Sequence, residues 1–168
     1  RELMSTTNTY IVDLDNVRQS EQSYLSSLSK NTRYQINRSI KIYQKSGGMN
    51  LQFAKSAEEA FGFFIESADI HKDRWLKEGD ISQFDLEECM NFHKALMKKS
   101  WKNNEIDLIR ITIGDDQSDE QQYVGMLYNF IYNGQVNFYM SALTYESNPK
   151  LKPGMVIHSP LNIIWIKG

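Results

Sequence analysis

The N-terminal part of the chain carries apolar side chains at spacings of three and four, which is the period of an α-helix. This pattern predicts helices over residues 20–46 and 85–102. A third helix is predicted to begin at Ser56 and Glu59, whose spacing is that of a capping box. A short strand is expected at residues 49–54, between the helix over 20–46 and the helix that begins at Ser56.

After residue 105 the apolar period shortens to two, as in a half-buried strand. Strands are predicted over 106–113, 123–132 and 135–143. Asn133-Gly134, between the last two, strongly indicates a tight hairpin turn. Pro153-Gly154 predicts a further turn, followed by a last helix from Val156 to Trp165. Helices around a largely antiparallel sheet make the predicted fold class α+β.

Composition limits the classes of function. The chain has 168 residues, of which 40% are hydrophobic and 24% charged, so it suits one globular domain. Its net charge of −2 argues against general binding to nucleic acid. The single cysteine, Cys89, excludes an internal disulfide framework and fits a reducing compartment, so we expect a cytoplasmic protein. No apolar run approaches the roughly 20 residues that span a bilayer.

The chain divides into a short leading segment and one domain. Residues 1–19 are mostly polar and are expected to form an N-terminal segment or linker, while residues 20–168 form the domain. The sequence begins with Arg1 and stops at Gly168, directly after an apolar segment. We therefore expect a fragment of a longer protein.

A basic helix is the first candidate binding surface. Its cations are Lys30, Arg33, Arg38, Lys41 and Lys45, with no acidic residue between them. Such a surface can contact phosphates, a polyanion or an RNA backbone, with Arg33, Arg38 and Lys41 as candidate contacts. The alternative is a solvated helix face that keeps the protein soluble.

The sequence His71-x-x-Arg74-Trp75 is the second candidate. On a helix, these three side chains lie on neighbouring turns of one face. Histidine can act as a general base near neutral pH, and arginine can hold a carboxylate or phosphate. The alternative is a structural cluster in which Trp75 belongs to the core and Arg74 stacks on it.

Several other chemistries lack their motifs. The chain contains no P-loop, no GxGxxG after a strand and no GxSxG. Its three histidines, His71, His93 and His158, are far apart in sequence, and no metal site is predicted. The Pro153-Gly154 turn remains a candidate, because a helix N-terminus presents unpaired N–H groups that can bind a pyrophosphate.

The order of these features resembles a known family. The run from Tyr24 to Ser39 (YLSSLSKNTRYQINRS) is similar to the start of the GNAT-like acyltransferase domain of bacterial exopolysaccharide and cellulose-biosynthesis proteins. It is also similar to a stretch of the Fem-type aminoacyltransferases of peptidoglycan synthesis. His71, Arg74, Trp75 and Gly79 match the HxxRWxxxG pattern of the first family. The resemblance covers residues 24–168.

The resemblance implies a GNAT-like fold, with a mixed, mostly antiparallel sheet flanked by helices. It implies transfer of an acyl group from acyl-CoA (acetyl-CoA) to an amine or hydroxyl of a cell-envelope or polysaccharide precursor. The Fem branch implies aminoacyl-tRNA as an alternative donor and a possible second GNAT-like half. A non-catalytic GNAT-like module that binds RNA, a partner protein or an adjoining domain is the alternative function.

The resemblance also assigns roles to individual residues. The donor's phosphates would lie at the turn formed by Pro153, Gly154, Met155 and Val156. The thioester would lie beside the strand residues Tyr139, Ser141 and Ala142. On the acceptor side, the implied catalytic residues are His71 and Arg74, with Trp75 as a candidate substrate or polyanion contact. Tyr139 is the implied proton donor to the leaving thiolate.

Overall fold

In a computed structural model of the chain, one antiparallel sheet lies between two layers of helices. The structure describes residues 11–19, 23–79, 83–115, 121–144 and 148–159. None of the helices in these ranges is both long enough and apolar enough to cross a membrane.

The first described segments form two short helices and a long one. Their bounds are α1 (Leu14–Gln19), α2 (Tyr24–Ser27) and α3 (Lys30–Lys45). The helix predicted over 20–46 is therefore confirmed from residue 24, with a break between α2 and α3. Ser29 ends that break, because its hydroxyl accepts the N–H of Thr32 at 3.1 Å and caps α3. Ile36, Ser39 and Tyr43 form the buried face of α3.

Within the described ranges, four strands form the sheet, in the order in which they occur along the chain. They are β1 (Met49–Phe53), β2 (Ile106–Ile113), β3 (Gln122–Tyr132) and β4 (Gln135–Leu143), and each pair is antiparallel. The predicted strands are thus confirmed to within a residue. At the β3–β4 turn, Asn133 (φ 49°) and Gly134 (φ 72°) both adopt the left-handed conformation that a type I′ hairpin turn requires.

One face of the sheet packs against α4 (Ala57–Glu78) and α5 (Glu87–Ser100). The predicted cap of α4 is confirmed: the Ser56 hydroxyl accepts the N–H of Glu59 at 3.1 Å. Short 3-10 helices, Gln83–Asp85 and Trp101–Asn103, flank α5. The buried core on this face comprises Ala60, Phe63, Phe64, Ala68, Phe84, Met97, Ile106, Leu108, Met126 and Tyr128.

The opposite face packs against α3 and against a helix at residues 153–159, here α6. Its core comprises Tyr43, Ile109, Ile111, Ile113, Val124, Leu127, Leu143, Leu151, Val156 and Ile157. The three layers confirm the α+β class. However, α6 begins at Pro153, three residues before the predicted start, because proline suits the first helical position, where its missing N–H would have no acceptor. The predicted residues 160–165 lie outside the described part of the chain.

Candidate active site

Strand β4 carries a bulge at Tyr139. Tyr128 of β3 lies opposite Met140, whereas the next β3 residue, Asn129, lies opposite Phe138, so Tyr139 has no partner residue on β3. A bulge bends a strand and changes the direction of its side chain. Tyr139 is 46% exposed, which leaves its ring at the boundary between core and solvent.

Beneath Tyr139 lies a group of rings between the sheet and α5. The centroid of the Tyr139 ring is 5.1 Å from that of Tyr128, 5.1 Å from Phe130 and 5.7 Å from His93. These distances are typical of aromatic pairs in contact. We call these four residues the Tyr139 cluster. Tyr128 is 0% exposed and His93 is 2% exposed, so they form its buried floor.

Burial determines the charge of the Tyr139 cluster. It lowers the pKa of His93 and raises the pKa of Tyr128 well above its ordinary value. Burial is also the main cause of the raised pKa of Tyr139, with a smaller effect of Cys89. The imidazole is therefore neutral and both phenols are protonated at neutral pH. A protonated phenol can supply a proton to a leaving group.

His71 approaches the same cluster from α4. Its ring packs edge-on against Phe84, with centroids 4.5 Å apart. Phe84 is buried, and its ring centroid lies 6.3 Å from that of His93. The structure thus brings His71 and Tyr139 to one side of the sheet, with the rings of Phe84 and His93 between them. Arg74 and Trp75 follow on α4. Their side chains are not among those that the structure describes, so their roles stay predictions.

The start of α6 divides the four residues predicted at the phosphate turn into two groups. Pro153 is fully buried and Val156 is a core residue, so neither presents its side chain to a ligand. The Val156 N–H donates to the carbonyl of Lys152 at 3.0 Å. The N–H groups of Gly154 and Met155 belong to the first turn, where the helix itself provides no acceptor. The backbone amides of Gly154 and Met155 are therefore the hydrogen-bond donors available to a ligand at the start of α6.

Gly154 and Met155 also line a groove of about 260 Å³ between α6 and the α2–α3 region. Its other lining residues are Tyr24, Leu28, Thr32, Ile36, His158 and Ser159. At the groove, a Cβ built on Gly154 would lie 3.7 Å from Cδ1 of Leu143, so α6 starts against the end of β4. Of the other β4 candidates, Ser141 is half-buried and Ala142 is buried.

The predicted basic surface of α3 is only partly exposed. Arg33 donates from Nη1 to the carbonyl of Ser26 at 3.1 Å, which ties α3 to α2. The Arg38 guanidinium lies 5.5 Å from the centre of the Tyr34 ring. Lys41 is exposed. The two arginines therefore have intramolecular contacts, and the lysine is the freest of the three predicted polyanion contacts.

The histidines do not meet in one place. His158, on α6, packs against Phe138 with ring centroids 5.2 Å apart, on the sheet face opposite His93. In the ranges that the structure describes, no three His, Cys, Asp or Glu residues form a group able to hold a metal ion.

His93 and Tyr128 were not among the predicted site residues. The position of His93 on the apolar-leaning side of its predicted helix indicated core packing. Tyr128 was predicted to be an exposed residue of the hairpin, and this was wrong, because its ring is 0% exposed. The sequence contained one signal: His93 lies on the buried face of α5, one turn before Met97. This signal indicates a functional role only once the fold places Tyr139 next to His93.

An antiparallel sheet with helices on both faces, a bulge in β4 and a helix that begins against the end of β4 together define an α+β domain of the GNAT type. The sequence model of the acetyltransferase (GNAT) domain family matches residues 30–161, which is most of the chain. The chain therefore belongs to this family. Among curated proteins, a search finds no match. Membership supports acyl transfer as the activity, and GNAT domains generally use acyl-CoA as the small-molecule donor.

Proposed function

We propose that the protein transfers an acyl group from acyl-CoA to an amine or hydroxyl of a cell-envelope or polysaccharide precursor. The observation that carries this proposal is that the start of α6 and Tyr139 both lie beside β4. A Cβ built on Gly154 would lie 3.7 Å from Cδ1 of Leu143, and Tyr139 precedes Leu143 by four positions, roughly 13 Å along an extended strand. A donor with its phosphates at α6 can therefore extend along β4 and present its thioester to Tyr139.

The phosphates of the donor would bind at the first turn of α6. The amides of Gly154 and Met155 are hydrogen-bond donors there, and the positive end of the helix dipole favours an anion. The groove beside them has a largely apolar lining, which suits the uncharged portions of coenzyme A. In this arrangement Ser141 and Ala142 lie beside the arm that connects the phosphates to the thioester.

The reaction needs one proton to change position. The oxygen or nitrogen of the acceptor attacks the thioester carbonyl carbon, its bond to carbon forms, and the C–S bond breaks. The leaving thiolate takes the proton of Tyr139, and the proton released by the acceptor returns to that tyrosine. His71 and Arg74, on α4, would hold the acceptor, since positioning of the two reactants supplies much of the rate enhancement.

The surface beside Tyr139 suits a neutral acceptor such as a sugar. No residue from Gln122 to Leu143 is charged, in a chain with 24% charged residues. Tyr132 is 68% exposed, and Asn137 is exposed at an alternate position of the same hairpin face. Flat aromatic rings and amide groups contact apolar faces and hydroxyl groups respectively, and neither repels an uncharged ring.

Release of free coenzyme A from acetyl-CoA, followed with a thiol reagent in the presence of glycan and amino-sugar acceptors, tests this function. Tyr139→Phe should lower the rate by about tenfold or more, because the proton donor to the thiolate is lost. Tyr34→Phe is the matched control, since Tyr34 is 61% exposed on α3, which packs on the sheet face opposite the Tyr139 cluster. His71→Ala should also lower the rate, through weaker holding of the acceptor.

Two results would contradict the proposal. One is a wild-type chain that neither binds nor consumes any acyl-CoA. This result would favour an aminoacyl-tRNA donor, a requirement for a second GNAT-like half, or a non-catalytic module that binds through Lys41 and its neighbours. The other is a Tyr139→Phe variant as active as Tyr34→Phe, which would remove Tyr139 from the chemistry.

A further inference from the structure

His93 is a polar residue enclosed by aromatic rings at the floor of the Tyr139 cluster. It is 2% exposed, and the rings of Phe64, Phe92 and Tyr139 have centroids 4.8, 5.2 and 5.7 Å from its own. Within the described part of the chain, Nδ1 of His93 contacts the hydroxyl oxygen of Tyr128 over 3.5 Å, which is long for a hydrogen bond. A phenylalanine there would fill similar space without the two ring nitrogens.

We propose that His93 is a positioning residue for Tyr139, acting through the hydroxyl of Tyr128. This inference rests on the proposed function, in which Tyr139 protonates the leaving thiolate. His93 remains buried beneath the bulge, so it touches neither the donor nor the acceptor and takes no part in the bond changes.

Two successive contacts connect His93 to Tyr139. Nδ1 of His93 contacts the hydroxyl oxygen of Tyr128 over 3.5 Å, and the ring of Tyr128, on the inner strand β3, is 0% exposed. The Tyr128 ring then meets the Tyr139 ring edge-on, at 5.1 Å and an interplanar angle of 72°. Because Tyr139 is the unpaired residue of the bulge, strand pairing alone does not fix its ring. The contact with Tyr128 and His93 supplies the missing constraint.

Three variants separate positioning from packing. His93→Phe keeps a ring of similar size and removes both nitrogens, while His93→Gln keeps a polar group that can reach Tyr128. Met97→Leu, one turn later on α5 and equally buried, is the packing control. We expect His93→Phe to lower kcat by about tenfold with KM for acyl-CoA within about twofold, since misplaced catalytic groups reduce turnover. His93→Gln should recover part of that loss.

Stability must be measured on the same proteins. His93→Phe should unfold close to the wild-type temperature, because an aromatic ring of similar size keeps the packing of the buried position and only the long contact with Tyr128 is lost. Loss of kcat without loss of stability would support positioning. A His93→Phe protein with wild-type kcat would overturn the proposal, as would a kcat loss matched by Met97→Leu.

A second measurement does not depend on activity. The ultraviolet titration of Tyr139, obtained as the difference between each protein and its Tyr139→Phe derivative, reports the surroundings of that hydroxyl. We expect His93→Phe to shift the midpoint of this titration, and Met97→Leu to leave it unchanged. If the wild type transfers no acyl group, the proposed function fails, and the titration alone decides the structural claim. An unchanged midpoint in His93→Phe would then overturn it.

Discussion

The hydroxyl of Ser39 accepts a hydrogen bond from the backbone N–H of Lys152 at 3.1 Å. Ser39 is fully buried in the middle of α3, and Lys152 is the last residue before α6. The bond thus joins segments that are distant in sequence and fixes the direction in which the chain enters α6. The amides of Gly154 and Met155, where we propose that the donor's phosphates bind, follow directly.

Substitution of Ser39 should affect both stability and donor binding. Ser39→Ala removes the acceptor of a partly buried N–H group, so the free energy of unfolding should fall by about 1–2 kcal/mol. The dissociation constant for coenzyme A should rise several-fold, because the first turn of α6 is less firmly held. Urea unfolding and calorimetric titration measure the two effects. Ser46→Ala, at the exposed end of α3, is the control. Reduced stability with unchanged binding would show that this bond does not support the donor site.

A negative charge at position 154 should weaken binding of the acyl donor while stabilising α6. Gly154 has room for a side chain, since its nearest neighbour is Cδ1 of Leu143 at 3.7 Å from a built Cβ. Gly154→Asp should stabilise the free protein by about 0.3–1 kcal/mol, because a carboxylate in the first turn interacts well with the helix dipole. The same carboxylate should weaken coenzyme A binding by about tenfold or more, through repulsion of the phosphates.

Gly154→Asn is the matched control, because it has nearly the same shape without the charge. It should bind coenzyme A more tightly than Gly154→Asp, with the difference between the two decreasing at high salt. Thermal unfolding with and without the ligand measures both quantities. Equal binding by the two variants would place the phosphates away from α6.

Most of the fold could be predicted from the sequence because its signals are local. The period of two, the Asn133-Gly134 turn and the Ser56–Glu59 cap each depend on neighbours within a few residues, and each is confirmed. The start of α6 was predicted three residues late. There, the pattern of apolar residues indicated Val156, while the structure uses Pro153 as the first helical residue.

The candidate site could be predicted only in part, because it depends on contacts between distant elements. The motif around His71 and the strand position of Tyr139 were visible in the sequence. The bulge that leaves Tyr139 unpaired was not, since it arises from the register between β3 and β4. The role of His93 was hidden for the same reason. It follows from the packing of α5 on the sheet, which no local pattern encodes.

Glycine at position 125 is required by the close approach of β3 and β4. Gly125 has φ 151°, and a Cβ there would collide with the carbonyl oxygen of Ala142 and with Leu143. Gly125→Ala should therefore lower the free energy of unfolding by more than about 2 kcal/mol, through strain and forced separation of the strands. Chemical denaturation measures this loss.

Gly62→Ala is the opposite case within the same chain. Gly62 lies on the exposed side of α4, and a Cβ there would meet nothing within 4 Å. The substitution should raise the free energy of unfolding by about 0.5–1 kcal/mol, because alanine loses less backbone entropy in a helix. Equal effects of the two substitutions would contradict the strand geometry described above.

The carboxyl group of Asp107 should make stability depend on pH. It lies opposite Asn129 in the β2–β3 pair, and burial raises its pKa from 3.8 to about 6, against a smaller lowering effect of the neighbouring Asn129 side chain. The folded protein therefore keeps this proton up to about pH 6, while the unfolded chain loses it near 3.8. The contribution of Asp107 to stability should fall as the pH rises through this window, and its full unfavourable effect is present above it.

Asp107→Asn removes that effect. The difference in free energy of unfolding between this variant and the wild type therefore reports on the Asp107 carboxyl group alone. The difference should increase from pH 4 to pH 7 and then remain constant. A two-unit shift corresponds to about 3 kcal/mol, and partial exposure of the residue reduces the expected gain to about 1–2 kcal/mol. Asp73→Asn, at an exposed position of α4, removes the same charge and is the control for general electrostatic effects. Urea unfolding at pH 4, 5, 6 and 7 measures both variants. A gain in Asp107→Asn that is the same at every pH would show that the carboxyl group titrates alike in the folded and unfolded chains.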